Sequence, residues 1–267
     1  MNWTAIHYSA IGTRHSEEGL PCQDYSNYRC FDDVIIGAVA DGAGSAKHSD
    51  LGAKLAVETT LSFLAGTEEF ETYPGIAKWS AKRQKVDKPP KEKVIDKLAR
   101  DICEKVLTAL TREAEVMNCQ SEDFDCTLLV FIGTPYWLAA IQVGDGFMVV
   151  RSQDGTLQLV FEPDKGEFAN ETTFVTSEDV LSQLQVKTLP PQQFICAASD
   201  GLEKVAIRLS DWTAFPPFFA PLQECLQEAT TMEEKQAYLQ SFLESDRLNQ
   251  RTSDDKTLLL CLNHSQG

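Results

Sequence analysis

Short, uninterrupted apolar runs are the main feature of the hydrophobic pattern along this chain. Residues 34–40 (VIIGAVA) include no polar side chain, which is the pattern of a strand buried on both faces. Similar runs predict further buried strands at 126–132, 137–143, 194–198 and 258–262. Residues 147–151 and 156–161 flank the turn sequence SQDG (152–155), and they predict a β-hairpin because Asp-Gly adopts positive φ angles at little cost. The chain is therefore expected to be rich in β-structure.

Helical periodicity predicts three helices among these strands. The first is expected at 49–64, with Ser49 as its N-cap, the second at 92–116 and the third at 232–248. Between the first two, residues 66–93 combine three prolines with dense charge and predict an irregular excursion on the surface. Because strands, then two helices, then more strands follow one another, an α+β sandwich with helices outside is favoured over alternating βαβ units.

Length and composition are those of an ordinary soluble globular protein. The 267 residues are 43% hydrophobic and 24% charged, and we interpret them as a single domain spanning residues 1–267. The start has neither a basic segment nor a long apolar one, so no secretory signal is predicted. No apolar run approaches the roughly 20 residues that cross a bilayer. The eight cysteines include no C-x-x-C pair and are interpreted as reduced thiols of a cytoplasmic protein.

The charge balance argues against one class of partner. The formal net charge is −16, from 40 acidic and 24 basic residues, whereas a nucleic-acid surface needs a basic footprint. We therefore expect no nucleic-acid partner, and because no apolar run is long enough to cross a bilayer we expect no membrane partner either. No coiled coil or apolar stripe indicates an oligomer, so a monomer is the default expectation.

Aspartates follow or precede several of the predicted buried strands. Asp41, Asp145 and Asp200 each come just after an apolar run and before a glycine, and Asp254 precedes the last run. A single Asp-Gly beside a strand is usually only a turn. Carboxylates at buried strand ends are costly unless cations neutralise them, and oxygen ligands suit Mg²⁺, Mn²⁺ or Ca²⁺. These residues alone leave a metal cluster and a set of unrelated turns equally open, and the carbonyl of Gly42 is a further candidate ligand.

The aspartates lie within sequence motifs that resemble those of the metal-dependent protein serine/threonine phosphatases of type 2C (the PPM family). The matching segments run in family order across nearly the whole chain: GLPCQD at 19–24, VADGAG at 39–44, CTL at 126–128, QVGDG at 142–146, ASDGL at 198–202 and DDKTL at 254–258. The resemblance implies a four-layer α-β-β-α sandwich of two antiparallel sheets flanked by helices, with the active site at one edge.

The resemblance also implies a role for each aspartate. Asp41 would bridge two Mn²⁺ or Mg²⁺ ions, and the carbonyl of Gly42 would bind one of them. Asp200 and Asp254 would complete the binding of the other ion.

Two further acids receive roles from the same motifs. Asp24 would act near the second ion, directly or through water, and Asp145 corresponds to the family acid that binds a weaker third ion. Asp255 is open to two interpretations, as a residue supporting Asp254 or as a cap of the turn.

One position departs from the family pattern. The family commonly has a phosphate-binding arginine four residues before the Gln of the first motif, and Gly19 occupies that position here. Arg14 and His15 lie upstream and could supply the guanidinium and a proton donor from a differently folded loop, since the planar fork of arginine binds two phosphate oxygens. An ordinary surface arginine is an equally open interpretation of Arg14, and a solvated loop histidine is the preferred one for His15.

The function that follows is hydrolysis of phosphoserine or phosphothreonine in a phosphorylated protein. The resemblance implies attack by a water or hydroxide activated by two ions, with Asp41 at the centre and Arg14 and His15 as further catalytic candidates. Two alternatives remain: a pseudophosphatase that binds phosphoproteins with little turnover, favoured by the missing arginine, and an acidic structural domain without metal.

Overall fold

The computed structural model describes residues 3–31, 33–66, 89–161, 172–228 and 230–264. Its strands are β1 (Trp3–Ala10), β2 (Asp24–Phe31), β3 (Val34–Asp41), β4 (Leu128–Gly133), β5 (Leu138–Val143), β6 (Phe147–Arg151), β7 (Leu157–Leu159), β8 (Gln185–Leu189), β9 (Phe194–Ala198), β10 (Ile207–Arg208), β11 (Thr213–Ala214) and β12 (Lys256–Asn263). Its α-helices are α1 (Thr13–Glu18), α2 (Ser49–Ala65), α3 (Glu92–Met117), α4 (Val180–Gln183), α5 (Glu203–Ala206), α6 (Pro216–Gln227), α7 (Met232–Leu243) and α8 (Asp246–Asn249).

Ten of these strands form two five-stranded sheets. The first sheet has the order β1-β12-β9-β6-β7 and the second the order β2-β3-β4-β5-β8. Each neighbouring pair is antiparallel. The short strands β10 and β11 pair separately.

Three apolar clusters define the layers of the molecule. One cluster packs α2 and α3 on the outer face of the second sheet, and another packs α6 and α7 on the outer face of the first sheet. The third fills the space between the sheets with side chains such as Ile35, Phe131, Ile195 and Leu259. The order of layers is therefore α-β-β-α, and the predicted α+β sandwich of two antiparallel sheets is confirmed.

Strand β3 shows why its sequence has no polar residue. Ile35 and Val39 point into the cluster between the sheets, whereas Ile36, Ala38 and Ala40 point toward α2 and α3. Because side chains alternate across a strand, both faces of β3 are covered and each position buries an apolar group. The uninterrupted apolar run is thus the signature of a central strand between two layers.

The predicted central strands are present with ends shifted by a few residues, but three edge strands were missed. The hairpin of β6 and β7 is confirmed, and Gly155 in its turn has φ 87°. The three missed edge strands are β1, β2 and β8, and each lies at the edge of its sheet, while the two-residue strands β10 and β11 were missed as well. Edge strands are half-exposed and carry polar residues, so they lack the apolar run by which the others were found.

The first two predicted helices are present, and two details of the helix predictions were wrong. Ser49 is the first residue of α2 rather than its N-cap, which is His48. The predicted third helix, 232–248, ends at Leu243, and α8 begins only at Asp246. Between them, the Ser245 hydroxyl donates to the carbonyl of Phe242 at 2.7 Å, a local bond of the kind that favours a cap over a helix interior.

Two other predictions depend partly on residues that are not described. Residues 67–88 of the expected excursion lie outside the described residues, and so does the segment 162–171. A single domain spanning 1–267 therefore stays a prediction. Among the described residues, no helix is both long and apolar enough to cross a membrane.

We predict that Phe131→Ala lowers the free energy of unfolding by about 3–5 kcal/mol. The Phe131 side chain is fully buried between the sheets beside Gly37, so its removal leaves a cavity. The matched control is Phe31→Ala, because Phe31 is 45% exposed and its loss should cost about 1 kcal/mol or less. Urea unfolding measures both, and equal losses would contradict the packing described here.

Candidate active site

The strand ends that carry the predicted aspartates meet at one edge of the sandwich. In the second sheet, Asp24 begins β2 and is paired in register with Asp41, which ends β3. In the first sheet, β9 ends at Ala198 beside the start of β12, where Ala198 pairs with Leu258. Asp200 therefore follows β9 and Asp254 precedes β12 at the same edge. Antiparallel pairing thus brings together residues that are far apart in sequence.

Two connections between the sheets at this edge carry predicted site residues. One crossing joins β5 to β6 through three residues, and Asp145 is the middle one. The other joins β1 to β2 and contains α1, with Arg14 and His15. Both connections therefore add functional side chains to the edge where the strand-end aspartates lie.

An open pocket at this edge contains most of the predicted site residues. Its walls include the predicted residues Arg14, His15, Asp41, Gly42, Asp145, Asp200 and Asp254. Asp24 does not line the pocket and lies beneath it, 5% exposed, where its Oδ2 accepts a hydrogen bond from Ser199 at 2.6 Å. The structure thus brings the seven together and places Asp24 behind them.

Burial raises the pKa values of three of the aspartates at this edge, Asp24, Asp41 and Asp200. Burial raises the pKa of Asp24 from the ordinary 3.8 to about 7, and the neighbouring charge of Asp255 adds to the effect. The pKa of Asp41 is well above its usual range because of burial first, and then because of the carboxyls of Asp24 and Asp200. Burial also raises the pKa of Asp200, with Asp145 and Asp254 as nearby negative charges. The group is electrostatically unfavourable by itself and would be stabilised by cations.

Backbone contacts hold the aspartates in place. Thr127 brackets Asp41: its hydroxyl accepts from the Asp41 amide at 3.0 Å, and its own amide donates to the Asp41 carbonyl at 2.8 Å. Ser199 links three strands, because its hydroxyl also accepts from the Thr257 amide at 3.1 Å. At Gly201, an added Cβ would overlap the carbonyl oxygen of Asp255, so only glycine allows the loops of Asp200 and Asp254 to lie this close.

The helix α1 explains why the position of the family arginine is a glycine. Gly19 follows α1 in the left-handed conformation, with φ 71°, and its amide donates to the carbonyls of His15 and Ser16. Glycine is the preferred residue for such a helix end. The connection is therefore folded as a helix, and Arg14 and His15 reach the pocket from its first turn.

Asp255 has a larger role than either sequence interpretation gave it. The side chain is 3% exposed and accepts from the amides of Gly12 and Gln23, both at 2.6 Å, and from His15 Nδ1 at 3.0 Å. His15 is accordingly 5% exposed, which corrects the preferred interpretation of a solvated loop histidine. Because Asp255 follows Asp254 by one residue, it ties the wall that carries Arg14 to the loop that carries a predicted metal ligand.

Other pocket residues were not singled out from the sequence. Thr172 donates from its hydroxyl to Asp145 Oδ2 at 2.6 Å. Gln23 lines the pocket, and its buried Oε1 has no hydrogen-bond partner within the part of the chain that the structure describes. Gln23 lies inside the first motif, but nothing in the sequence around Thr172 marked it as a neighbour of Asp145.

The donor set suits a hard divalent cation. The pocket offers carboxylates from four strand ends and connections, and Asp24 Oδ1 is a buried acceptor with no hydrogen-bond partner among the described residues. Carboxylate oxygens are the ligands that Mg²⁺ and Mn²⁺ prefer. Within the described ranges, no three His, Cys, Asp or Glu side chains already have a geometry that could hold one ion. The assignment of particular ligands is therefore a proposal.

Comparison with known proteins assigns the chain to a family. The sequence profile of the protein phosphatase 2C family matches residues 11–244. The chain is also 33% identical over 270 residues to serine/threonine-protein phosphatase 3 of Escherichia coli (strain K12), covering 98% of this chain and 99% of that protein. This chain belongs to the protein phosphatase 2C family and is a phosphoprotein phosphatase, a phosphoric monoester hydrolase, as its motifs predicted.

Solved structures share the fold at low sequence identity. The serine/threonine phosphatase Stp1 from Staphylococcus aureus superposes with a TM-score of 0.61 at 12% identity, covering 98% of this chain and 95% of that one. The catalytic domain of the serine/threonine protein phosphatase PstP, in complex with two manganese ions, has a TM-score of 0.58 at 15% identity, with 97% of each chain covered. These similarities support the fold described above.

In the metal-free protein, kept in EDTA, we predict that the contribution of Asp24 to stability falls as the pH rises from 3.8 to about 7. The pKa of Asp24 is higher in the folded chain than in the unfolded chain, so the folded chain binds more protons in this window. Linkage then makes this contribution to the free energy of unfolding decrease with rising pH. Asp24→Asn should flatten the decrease, whereas Glu178→Gln, which removes an exposed carboxyl, serves as the control. Urea unfolding across this range tests the prediction, and an unchanged slope in Asp24→Asn would contradict it.

Proposed function

We propose that this chain hydrolyses phosphoserine and phosphothreonine in phosphorylated proteins with the help of two Mn²⁺ or Mg²⁺ ions. The observation that carries the proposal is the gathering of Asp41, Asp145, Asp200 and Asp254 with Arg14 around one pocket. The serine/threonine specificity is inferred from the name of the 33% identical relative. The pairing of cation-binding carboxylates with a guanidinium suits a substrate whose reacting group is a phosphate.

The chain's own residues supply the ligands. Asp41 would contact both ions, with the Gly42 carbonyl beside it, while Asp200 and Asp254 would complete the set. Bound ions of this kind lower the pKa of a water and neutralise phosphoryl oxygens. Asp41 is suited to the central position because its carboxyl already lies among the charges of Asp24 and Asp200.

Two further acids support the site from opposite sides. Asp24 lies beneath Asp41 with one oxygen free to accept, so it would act directly or through water. Asp145 lies at the pocket wall, held by Thr172, and would bind a weaker third ion.

Arg14 is the residue that we assign to the substrate phosphate. Its side chain is half-exposed at the pocket, and a Cβ added to Gly44 would lie 3.6 Å from Arg14 Nη2. The guanidinium therefore faces the glycine loop that follows Asp41. This placement supports phosphate binding over an ordinary surface arginine, since a planar fork binds two phosphoryl oxygens at once.

His15 was the candidate acid for protonating the leaving oxygen. Its Nδ1 is 3.0 Å from Asp255 Oδ2, and its Nε2 is 3.3 Å from Arg14 Nη2. With both ring nitrogens engaged, this geometry favours a positioning role for His15 over proton donation.

A phosphoprotein-binding pseudophosphatase remains the second candidate function. Its main support was the glycine at position 19, where the family has arginine. That support is weakened because Arg14 enters the pocket from α1.

Asp41→Ala should remove Mn²⁺-dependent release of phosphate from a phosphothreonine peptide. It should also reduce the rise in melting temperature that Mn²⁺ gives, because a cation that binds only the folded state stabilises it. Asp154→Ala, which changes an exposed aspartate in the β6–β7 turn, is the control and should retain both responses. Full activity in Asp41→Ala would contradict the metal assignment, whereas an inactive wild-type protein that still binds the phosphopeptide would favour the pseudophosphatase.

Arg14→Lys should lower kcat/KM about 10- to 100-fold, mainly through a higher KM. Lysine keeps the charge but loses the planar fork, and a hydrogen bond to a charged group is worth about 1.5–3 kcal/mol. Arg29→Lys is the matched control, because Arg29 is a half-exposed arginine paired with Glu58 away from the pocket. Steady-state kinetics measure the effect, and equal kinetics in the two variants would exclude Arg14 from phosphate binding.

A further inference from the structure

We propose that Asp255, His15 and Arg14 form a hydrogen-bonded chain in which His15 is a positioning residue that presents the Arg14 guanidinium to the substrate phosphate. The inference deepens the proposed function and depends on the phosphatase site described above. It assigns a role to two residues, Asp255 and His15, that the metal-ligand set does not use.

Asp255 is the fixed end of this chain. It is almost fully buried and its carboxylate accepts two backbone amides, from Gly12 on one side and Gln23 on the other. These amides flank α1, so the carboxylate fixes both ends of the connection that carries Arg14 and His15. The Arg14 amide adds a further contact to the same region, since it donates to the Ser253 carbonyl at 3.1 Å.

Asp255 also determines which nitrogen of His15 carries the proton. A carboxylate accepts hydrogen bonds, so the 3.0 Å contact from Asp255 Oδ2 places a proton on Nδ1. Arginine only donates, so the 3.3 Å contact between Arg14 Nη2 and His15 Nε2 requires that Nε2 accept. The arrangement is satisfied by a neutral ring with its proton on Nδ1, because a doubly protonated ring would place two donors against each other.

Arg14 is held at one nitrogen and is open at the others. Nη2 donates to His15 Nε2 and, at 3.4 Å, to Asp254 Oδ1. In the described parts of the chain, Arg14 Nε and Nη1 donate no hydrogen bond to another side chain. The side chain is half-exposed toward the pocket, so these donors are available to phosphoryl oxygens.

His15 is suited to orienting Arg14 because its acceptor atom, Nε2, belongs to a neutral ring. Asp254 is also a proposed ligand of a metal ion, so its carboxylate is shared between a cation and Arg14. His15 Nε2 offers Arg14 an acceptor that binds no cation in the proposed site. An oriented guanidinium loses less conformational freedom on binding phosphate than a free one does.

Gln23 lies on the same wall as Arg14. Gln23, whose amide is fixed by Asp255, has its side-chain Oε1 buried and unpartnered. A Cβ added to Gly44 would lie 3.9 Å from this atom and 3.6 Å from Arg14 Nη2. The Gln23 side chain and the Arg14 guanidinium therefore lie beside each other at the glycine loop that follows Asp41, and the Gln23 oxygen is a further acceptor toward which Arg14 can be oriented.

The test uses two replacements of His15 that separate its two hydrogen bonds. His15→Asn keeps a donor near the position of Nδ1 for Asp255 but has no acceptor for Arg14. His15→Gln places its side-chain amide near the position of Nε2, so it can still accept from Arg14. For His15→Asn we expect about a tenfold rise in KM and in the inhibition constant of inorganic phosphate, the effect of losing one hydrogen bond to a charged group. His15→Gln should recover part of this loss.

A double-mutant cycle with Arg14→Ala provides the sharpest readout. If His15 acts through Arg14, His15→Asn has no further effect on phosphate inhibition in the Arg14→Ala background. The rise in melting temperature on adding Mn²⁺ is the control. It should be the same in the His15 variants as in the wild-type protein, and this result would show that the variants are folded and bind the metal. Independent, additive losses in the cycle would overturn the proposal.

The choice of substrate distinguishes positioning from proton donation. A phosphoserine peptide needs a proton on its leaving oxygen, whereas p-nitrophenyl phosphate does not. A positioning role predicts a similar rise in KM for both substrates. A fall in kcat confined to the phosphoserine peptide, with KM unchanged, would overturn the proposal in favour of His15 as the acid. If the wild-type protein releases no phosphate with Mn²⁺, the proposed function fails, while phosphate binding to the Mn²⁺-loaded protein, followed by calorimetry, still tests the role of His15.

Discussion

The burial of several carboxyl groups at one edge of the sandwich is the constraint on which the rest of the site depends. Asp24 and Asp41 are paired across neighbouring strands, and Asp200 adds a third charge from the other sheet. Desolvation and mutual repulsion oppose this arrangement, and the raised pKa values report that opposition. Hydrogen bonds hold the carboxyl groups in place against this repulsion. The Thr127 hydroxyl accepts from the Asp41 amide, and the Ser199 hydroxyl bonds both Asp24 and the Thr257 amide.

The two adjacent aspartates before β12 illustrate how one turn can serve two purposes. Asp254 is 45% exposed at its side chain and faces the pocket, where a cation and Arg14 can both reach it. Asp255 points the other way, is buried, and organises backbone amides and His15. The pair therefore links the proposed metal-binding face to the interior of the connection that carries Arg14.

In the proposed site, helix α1 supplies the phosphate-binding arginine from a position other than the family's usual one. The glycine at that position is needed for the left-handed end of the helix, and the arginine is supplied from the helix itself. What the chemistry requires is a guanidinium at the pocket, and the backbone path that delivers it can differ. The connection between β1 and β2 must then be held in position, and Asp255 does this by accepting the backbone amides of Gly12 and Gln23.

The sequence by itself determined the central strands, the long helices and most of the pocket aspartates. A strand covered on both faces must be apolar throughout, and the Asp-Gly pairs follow such strands directly, so both signals are local. The edge strands β1, β2 and β8 lacked that signal because one side of each is open. Only the tertiary structure decided that His15 is buried and that it pairs with Asp255, since these residues are 240 positions apart. No local pattern encodes such a contact: it exists because antiparallel pairing of β1 with β12 brings the two loops to the same edge.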